Sequence, residues 1–242
     1  MTSPKPILAF DTATPTARVA IISPQGECLV LRQRTAARHS ANLLALCDEV
    51  MREAGTGVGG LGAIVCGAGP GSFTGLRVGL AVAKGLALPT GLPMVLVSSL
   101  DALACDLAVH SPAARHLLPC IDAGKGQVYA RLYAATEGVP KATGESDWVL
   151  YPQDLVRLVR EATAEGSLLV GGSGSDRYLD VFSAGLPKES ISPMLPGPSA
   201  HSIGRLGLAR LALGQVDDIE TAVPRYGRAP DITRPKKALL SP

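Results

Sequence analysis

Two aspartates of this 242-residue chain stand where they could bind phosphate or a metal ion. Asp11 and Asp122 each follow a short apolar run, enter a turn and precede an alternating strand pattern. Carboxylates delivered by two such turns can hold phosphates and a divalent cation from opposite sides of a cleft. An aspartate at a turn is also favoured because it hydrogen-bonds its own backbone. The pattern leaves both explanations open for each aspartate.

The histidines and cysteines form no recognisable catalytic or metal-binding pattern. No two histidines are four residues apart, and no serine lies in a G-x-S-x-G motif. The five cysteines include no C-x-x-C pair, and their odd number and wide spacing indicate buried free thiols rather than disulfides. The sequence therefore predicts no catalytic residue, no metal site and no cofactor.

A glycine-rich segment, residues 67–75, leads from an apolar strand into an apolar helix. It lacks the Lys-Ser/Thr pair of a Walker loop and the G-x-G-x-x-G spacing of a dinucleotide site. In the helix, Gly75, Gly79 and Ala83 recur every fourth residue, so one face is nearly flat and another backbone can approach it closely. The sequence leaves open whether that backbone belongs to this chain's own sheet or to another subunit.

Composition indicates a globular protein. The formal net charge is +2, and 46% of the residues are hydrophobic against 18% charged. No apolar run reaches the ~18 residues of a membrane span, and no signal peptide precedes the first strand, so we expect a cytoplasmic location without membrane contact. Neither this charge nor the 4% of aromatic residues indicates a nucleic-acid-binding surface. The basic tail, residues 225–242, is the exception, as either a solvated terminus or a phosphate contact.

The period of the apolar residues switches repeatedly between strand-like and helix-like. Residues 7–10, 18–22 and 27–34 predict a three-stranded meander, after which helix and strand patterns alternate. This order indicates an α/β protein with a mixed sheet and helices on its faces. From residue 117 the order repeats the opening, with an alternating strand at residues 128–133, so two similar halves are expected. The predicted divisions are residues 1–110, residues 111–224 and the tail, with helices near residues 40–54, 74–87, 101–108, 153–164 and 200–213.

Strand, aspartate turn and strand, seen twice in one chain, resembles the actin, hexokinase and Hsp70 superfamily of ATPases. There the paired aspartate hairpins hold phosphates and a metal, and a late Gly-Gly turn receives the adenosine. The resemblance implies two actin-like, RNase H-like halves, each a mixed five-stranded sheet with helices on its faces. It also implies a vestigial nucleotide cleft formed by Asp11, Thr12, Asp122, Gly124, Gly171 and Gly172.

With the glycine-rich helix added, the chain resembles the bacterial TsaB family, also called YeaZ. The resemblance is dense over residues 7–131 and thin after them, and its most specific part is the long, unusual run at residues 67–77. It implies a noncatalytic subunit of the complex that transfers threonylcarbamoyl to the adenosine beside the tRNA anticodon. Further matching segments are residues 10–13, 39–44, 83–85, 98–103, 121–123, 224–226 and 230–231.

The family's paralogue, TsaD, carries out the transfer and binds a metal through His-x-x-x-His. Ser99 and Leu103 stand at the two histidine positions of this chain, and neither is a strong metal ligand. The alternative is a nucleotide-dependent ATPase or kinase of the same superfamily that uses Asp11 and Asp122. That enzyme needs a further carboxylate or glutamine base and a Thr/Ser-rich phosphate loop, whereas Asp11 is followed here by Thr12 and Ala13 with no glycine.

Two adjacent predicted helices, residues 40–54 and 74–87, each carry a wider apolar face than one sheet surface needs. In the resembling family these helices pair with their counterparts, in a homodimer or in the heterodimer with TsaD. The resemblance thus implies TsaD as partner, a second copy as the alternative, the ATPase subunit TsaE in the same assembly, and tRNA only as part of the complex. The expected docking residues are His39, Leu43, Leu46, Val50, Phe73, Gly75, Leu76, Gly79, Leu80 and Ala83.

Overall fold

The first half of the chain forms a five-stranded mixed sheet in the computed structural model, which describes residues 4–35, 43–163, 167–192 and 195–228. Its first three strands are antiparallel and confirm the predicted meander, and the last two run parallel to the first strand. The strands are β1 (Ile7–Asp11), β2 (Thr16–Ile22), β3 (Cys28–Thr35), β4 (Ala63–Gly69) and β5 (Met94–Ser98), in the spatial order β3-β2-β1-β4-β5.

The second half repeats this arrangement, as the sequence predicted. Its five central strands have the spatial order β10-β7-β6-β11-β12, with the same sequence of antiparallel and parallel pairs as the first sheet. Two further short strands, β8 and β9, extend this sheet to seven strands beside β6. The strands are β6 (His116–Gly124), β7 (Gln127–Ala130), β8 (Tyr133–Ala134), β9 (Lys141–Ala142), β10 (Trp148–Leu150), β11 (Leu168–Gly171) and β12 (Ile191–Ser192).

The single strand predicted at residues 128–133 is two strands. β7 pairs with the end of β6 and β8 with its beginning, and the antiparallel ladder is interrupted between Leu117 and Cys120. Pro119 lies in this gap and has no amide hydrogen to donate to a neighbouring strand. The proline therefore explains why the partner strand splits at this point.

Helices cover both faces of each sheet. Most were predicted from apolar periodicity, and Gly55, which has a left-handed φ of 66°, follows the end of the first helix. The two short helices after residue 172 were not predicted because their Gly- and Ser-containing sequence has no helical apolar period. The helices are α1 (Leu43–Glu53), α2 (Phe73–Ala87), α3 (Ser99–His110), α4 (Pro152–Ala162), α5 (Ser173–Arg177), α6 (Leu179–Gly185) and α7 (Ala200–Ala212).

The last helix packs against the sheet of the first half. Ala200 and Ile203 of α7 join a buried cluster with Ile7, Ala9 and Val65, which lie on the face of the first sheet opposite α1 and α2. The sequence repeat predicts this helix as part of the second half, residues 111–224. That assignment is wrong for α7, because the face that it covers belongs to β1, β2 and β4.

The two halves meet through a buried apolar cluster. Leu76 of α2 and Leu103 of α3 contribute from the first half, and Ile121 and Tyr129 contribute from the second. The halves therefore contact each other through buried side chains, in addition to being joined by the chain itself. Among the described helices, none is both long and apolar enough to cross a membrane.

Candidate functional site

The glycine-rich segment between β4 and α2 packs against the turn that follows β1. The Ser72 amide donates to the carbonyl oxygen of Ala13 at 2.8 Å, and a Cβ added at Gly71 would lie 2.4 Å from that same oxygen. The Ser72 hydroxyl in turn caps α2 by accepting the Gly75 amide at 3.2 Å. Glycine at position 71 is thus required by close backbone packing within this chain.

The small-residue face of α2 also packs inside the chain. The Thr12 hydroxyl donates to the Gly75 carbonyl at 2.8 Å. A Cβ at Gly75 would lie 2.1 Å from the Thr12 carbonyl oxygen, and one at Gly79 would lie 2.4 Å from the Thr12 Oγ1. Of the two explanations that the sequence left open for this face, the structure supports the internal one.

Most of the docking residues predicted on α1 and α2 also pack inside this chain. They are buried in the single chain, because their side chains face the first sheet or the other half rather than solvent. Phe73 is the exception among the described ones, with 42% of its surface exposed. His39 lies outside the described residues. The buried positions are Leu43, Leu46, Val50, Gly75, Leu76, Gly79, Leu80 and Ala83.

The outer faces of α1 and α2 are nevertheless apolar in places. Leu44 of α1 is 53% exposed, and Phe73 and Ala81 are exposed on α2. Beside Phe73, the Arg77 guanidinium lies 3.9 Å from the ring centroid and donates through Nε to the Tyr226 hydroxyl at 3.0 Å. Arginine, tyrosine and phenylalanine are residues that protein interfaces favour.

Asp11 is buried beneath the turn that it was predicted to present to a ligand. Its carboxylate accepts the Ser99 hydroxyl at 2.6 Å and the Ala13 amide at 2.9 Å. Burial raises the pKa of Asp11, although the Ser99 and Ala13 hydrogen bonds and the nearby Arg18 act in the opposite direction. Ser99 is the residue that the sequence placed at a metal-ligand position of the paralogue, and here it satisfies an internal carboxyl group.

Asp122 is held by the chain as well, although it is more exposed than Asp11. Its Oδ2 forms an ion pair with Arg177 at 2.8 Å, and its Oδ1 accepts the Gly124 amide at 3.0 Å. Its own amide donates to the Ser173 hydroxyl at 3.2 Å. The fold brings this side chain to a cavity between the halves but gives it protein partners.

That cavity, of about 820 Å³, lies between the aspartate turns of the two halves. Of the six residues predicted to form the vestigial cleft, Asp122 and Gly124 line it. Asp11, Thr12, Gly171 and Gly172 do not. A Cβ at Gly172 would lie 2.0 Å from the Cys120 carbonyl oxygen, so the Gly-Gly turn serves close packing of β11 on β6.

The C-terminal wall of this cavity was not predicted from the sequence. Residues 224–228 run from the first half to the second. The Arg225 amide donates to the Ala68 carbonyl at 2.8 Å, and the Arg228 guanidinium donates to the Gln127 side chain at 2.5 Å. The matching residues at 224–226 were the available signal, but nothing local to them indicates contacts with residues more than 100 positions earlier.

The cysteine thiols are shielded to different degrees. Burial raises the pKa of Cys47 and of Cys105 to about 12, so both thiols stay protonated at neutral pH. Cys28 is exposed, which corrects the expectation that all five are buried. Within the described part of the chain, no three His, Cys, Asp or Glu side chains are grouped so that they could hold a metal ion.

Several proteins similar to this chain are named for one tRNA modification, threonylcarbamoyladenosine. A family model described as "TsaD: tRNA N6-adenosine threonylcarbamoyltransferase" matches residues 30–146. The "tRNA threonylcarbamoyladenosine biosynthesis protein TsaB" of Escherichia coli (strain K12) is 31% identical over 226 residues, which are 92% of this chain and 94% of that protein. The protein of the same name from Bacillus subtilis (strain 168) is 31% identical over 55% of this chain and 57% of its own length.

Solved structures agree with the sequence comparison. "YeaZ from Pseudomonas aeruginosa" superposes with a TM-score of 0.76 at 28% identity and covers 92% of this chain and 99% of that one. An inorganic polyphosphate/ATP-glucomannokinase from Arthrobacter sp. strain KM superposes with a TM-score of 0.50 at 14% identity, over 87% of this chain and all of that one. The second likeness concerns the fold alone, which these proteins share.

Proposed function

The chain belongs to the TsaB family of tRNA threonylcarbamoyladenosine biosynthesis proteins, and on that premise we propose that it is a noncatalytic subunit that docks the catalytic paralogue TsaD. Its role in tRNA threonylcarbamoyladenosine biosynthesis follows from that membership. The proposal adds that TsaD transfers the threonylcarbamoyl group while this chain supplies a scaffold. TsaE and the tRNA join the same assembly.

One observation carries the noncatalytic part of the proposal, namely the state of the two aspartates. Asp11 is fully buried and hydrogen-bonded to Ser99, and Asp122 is paired with Arg177. A metal-assisted phosphate reaction needs carboxylates that face the ligand. Because both carboxylates are occupied by protein partners, we infer that the cavity lacks the acidic pair that such chemistry requires.

The docking part of the proposal rests on exposed residues of α1 and α2. Leu44, Phe73 and Ala81 lie on the outer faces of these helices, which the first sheet does not cover. The TsaD family model matches residues 30–146, so it spans both helices. Two chains that share these elements can pair through equivalent faces, as in a symmetric dimer. TsaD is therefore the proposed occupant, and a second copy of this chain is the competing one.

Leu44→Asp tests the docking surface. A carboxylate in the middle of a buried apolar contact should weaken binding to TsaD by tenfold or more, since an unpaired buried charge is costly. Leu158→Asp is the matched control, because Leu158 is a partly exposed leucine on α4 of the other half. Affinity is measured by sedimentation or calorimetry with purified TsaD, and tRNA modification is measured in the reconstituted system. Equal affinities for the two variants would contradict the proposed surface.

Asp11→Asn, a change outside the cavity lining, separates the scaffold from the enzyme. Asn keeps the size of the side chain and removes its charge, so a scaffold should support tRNA modification at the wild-type rate. The alternative, an ATPase or kinase, should lose activity with this change while binding to TsaD stays intact. Association is measured in parallel, so that a docking defect is not mistaken for a catalytic one.

A further inference from the structure

The cavity between the halves holds an unusual share of the aromatic side chains. The whole chain has three Phe, five Tyr and one Trp, and three of these residues line this one cavity: Phe73, Tyr129 and Tyr226. Tyr129 is almost buried, whereas Phe73 and Tyr226 are about 40% exposed, so part of each ring is open. The low aromatic content had argued against a base-stacking surface, but the fold gathers the rings in one place.

The charges of the same cavity are unbalanced. Two arginines, Arg177 and Arg228, line it together with one carboxylate of the described residues, that of Asp122, although the chain as a whole has a net charge of only +2. Arg177 is neutralised by Asp122 at 2.8 Å, while Arg228 donates a hydrogen bond to the uncharged Gln127 side chain. The lining therefore favours an anion.

The aromatic pair is fixed in place by a cation. The Arg77 guanidinium stacks on Phe73 and bonds the Tyr226 hydroxyl, and the centroids of the two rings are 5.1 Å apart. Rings held in this way lose little freedom when a further planar group stacks on them. Aromatic rings interleaved with cations are the features by which proteins hold single-stranded nucleic acid.

We propose that this cavity binds one nucleotide of a single-stranded RNA segment, with the base against Tyr226 and the phosphate against Arg228. The inference rests on the proposed function, in which the substrate is an RNA. A nucleoside triphosphate fits less well, because it carries a divalent cation and neither Asp11 nor Asp122 is available to hold one. A phosphodiester needs only the cations.

Fluorescence anisotropy with a labelled ten-nucleotide uridine RNA tests the proposal on the full-length chain. Tyr226→Leu should weaken binding by about five- to a hundredfold, because base stacking is lost. Tyr226→Phe keeps the ring and should bind RNA nearly as tightly as the wild type. Unaltered affinity in folded Tyr226→Leu, or the absence of saturable RNA binding at low salt, would overturn the proposal.

The phosphate contact has a separate readout. Arg228→Gln should reduce the slope of log affinity against log salt by about 0.7, the value for one phosphate contact with a single strand. Arg157→Gln is the control, because Arg157 is an exposed arginine on α4 outside the cavity lining. Equal slopes for the two variants would contradict the contact.

Binding of magnesium ATP, measured beside binding of the RNA, distinguishes an RNA site from a free-nucleotide site. If magnesium ATP binds with a dependence on Tyr226 and the RNA does not bind, the cavity is a free-nucleotide site and the proposal is wrong. Since these measurements use the isolated chain, they can fail while tRNA modification by the reconstituted system succeeds. The reverse result would contradict the proposed function and leave RNA binding standing.

Discussion

At the scale of single residues, Asp11 shows how burial converts a ligand-type side chain into an internal one. One of its hydrogen-bond donors, the Ala13 amide, is two residues away in the same turn, whereas the other, the Ser99 hydroxyl, is 88 residues away in the sequence. A turn aspartate at this place was predictable from the sequence. The loss of its solvent contact was not, because it depends on how the start of α3 meets the end of β1.

Asp11→Asn should change how stability depends on pH. The pKa of Asp11 is raised above 3.8 in the folded state, so the protonated form is favoured by folding. The protonated Asp11 side chain therefore stabilises the folded state fully below the unfolded pKa, and this stabilisation is lost as pH rises through the folded pKa. Asn is neutral throughout, and its amide can donate to Ser99 while its oxygen accepts the Ala13 amide. The free energy of unfolding of the wild type should therefore fall relative to Asp11→Asn as pH rises.

Urea unfolding between about pH 4 and 8, where folded proteins are usually stable enough to measure, gives this comparison. Asp48→Asn on the exposed face of α1 is the control and should run parallel to the wild type. Parallel profiles for Asp11→Asn would show that Asp11 does not titrate differently on folding.

At the scale of elements, α2 shows two kinds of helical glycine. Gly79→Ala should destabilise the monomer by about 1 to 3 kcal/mol, because its Cβ would lie 2.4 Å from the Thr12 Oγ1 and displace a buried, hydrogen-bonded side chain. Gly85→Ala on the same helix meets nothing within 4 Å and should stabilise by up to about 1 kcal/mol, the propensity difference. Thermal melting of both variants checks the opposite signs. If Gly79→Ala were stabilising, this face of α2 would not be packed closely inside the chain.

The same helix shows what periodicity predicts and what it omits. Apolar spacing located α1, α2 and the meander, since each element has a strong period of its own. It misjudged which way the apolar faces of α1 and α2 point, because the sheet that covers Leu46 and Leu80 is built from strands elsewhere in the sequence. For the same reason, the sequence predicted Asp122 in the cavity but not Tyr226 or Arg228. These two residues reach it through contacts with residues about 100 to 150 positions away.

At the scale of the whole molecule, the division at residue 110 is not a division of the fold. α3 from the first half packs against Leu117 and Leu169 of the second sheet, and α7 from the second half packs against the first sheet. Each half therefore completes the other. Residue 110 separates the two repeats in the sequence, but α3 and α7 each pack against the sheet of the other half.

A fragment ending at residue 110 should consequently fail to fold. Without α7, the face of the first sheet that carries Ile7, Ala9 and Val65 would be open to water. We expect an aggregating fragment that binds a hydrophobic dye and lacks a cooperative melt. Co-expression with residues 111–242 should restore a soluble, cooperatively melting complex. Cooperative melting of the fragment alone would show that the covering helix is dispensable.

The return of α7 also has a consequence for synthesis on the ribosome. The strand β5 is complete at Ser98, but the helix that covers its sheet ends at Ala212, more than a hundred residues later. At ordinary translation rates the first sheet waits on the order of ten seconds with one apolar face uncovered. During that interval the nascent chain is a natural client for a chaperone that holds apolar surfaces, and a pause in translation between residues 98 and 200 would lengthen the exposure.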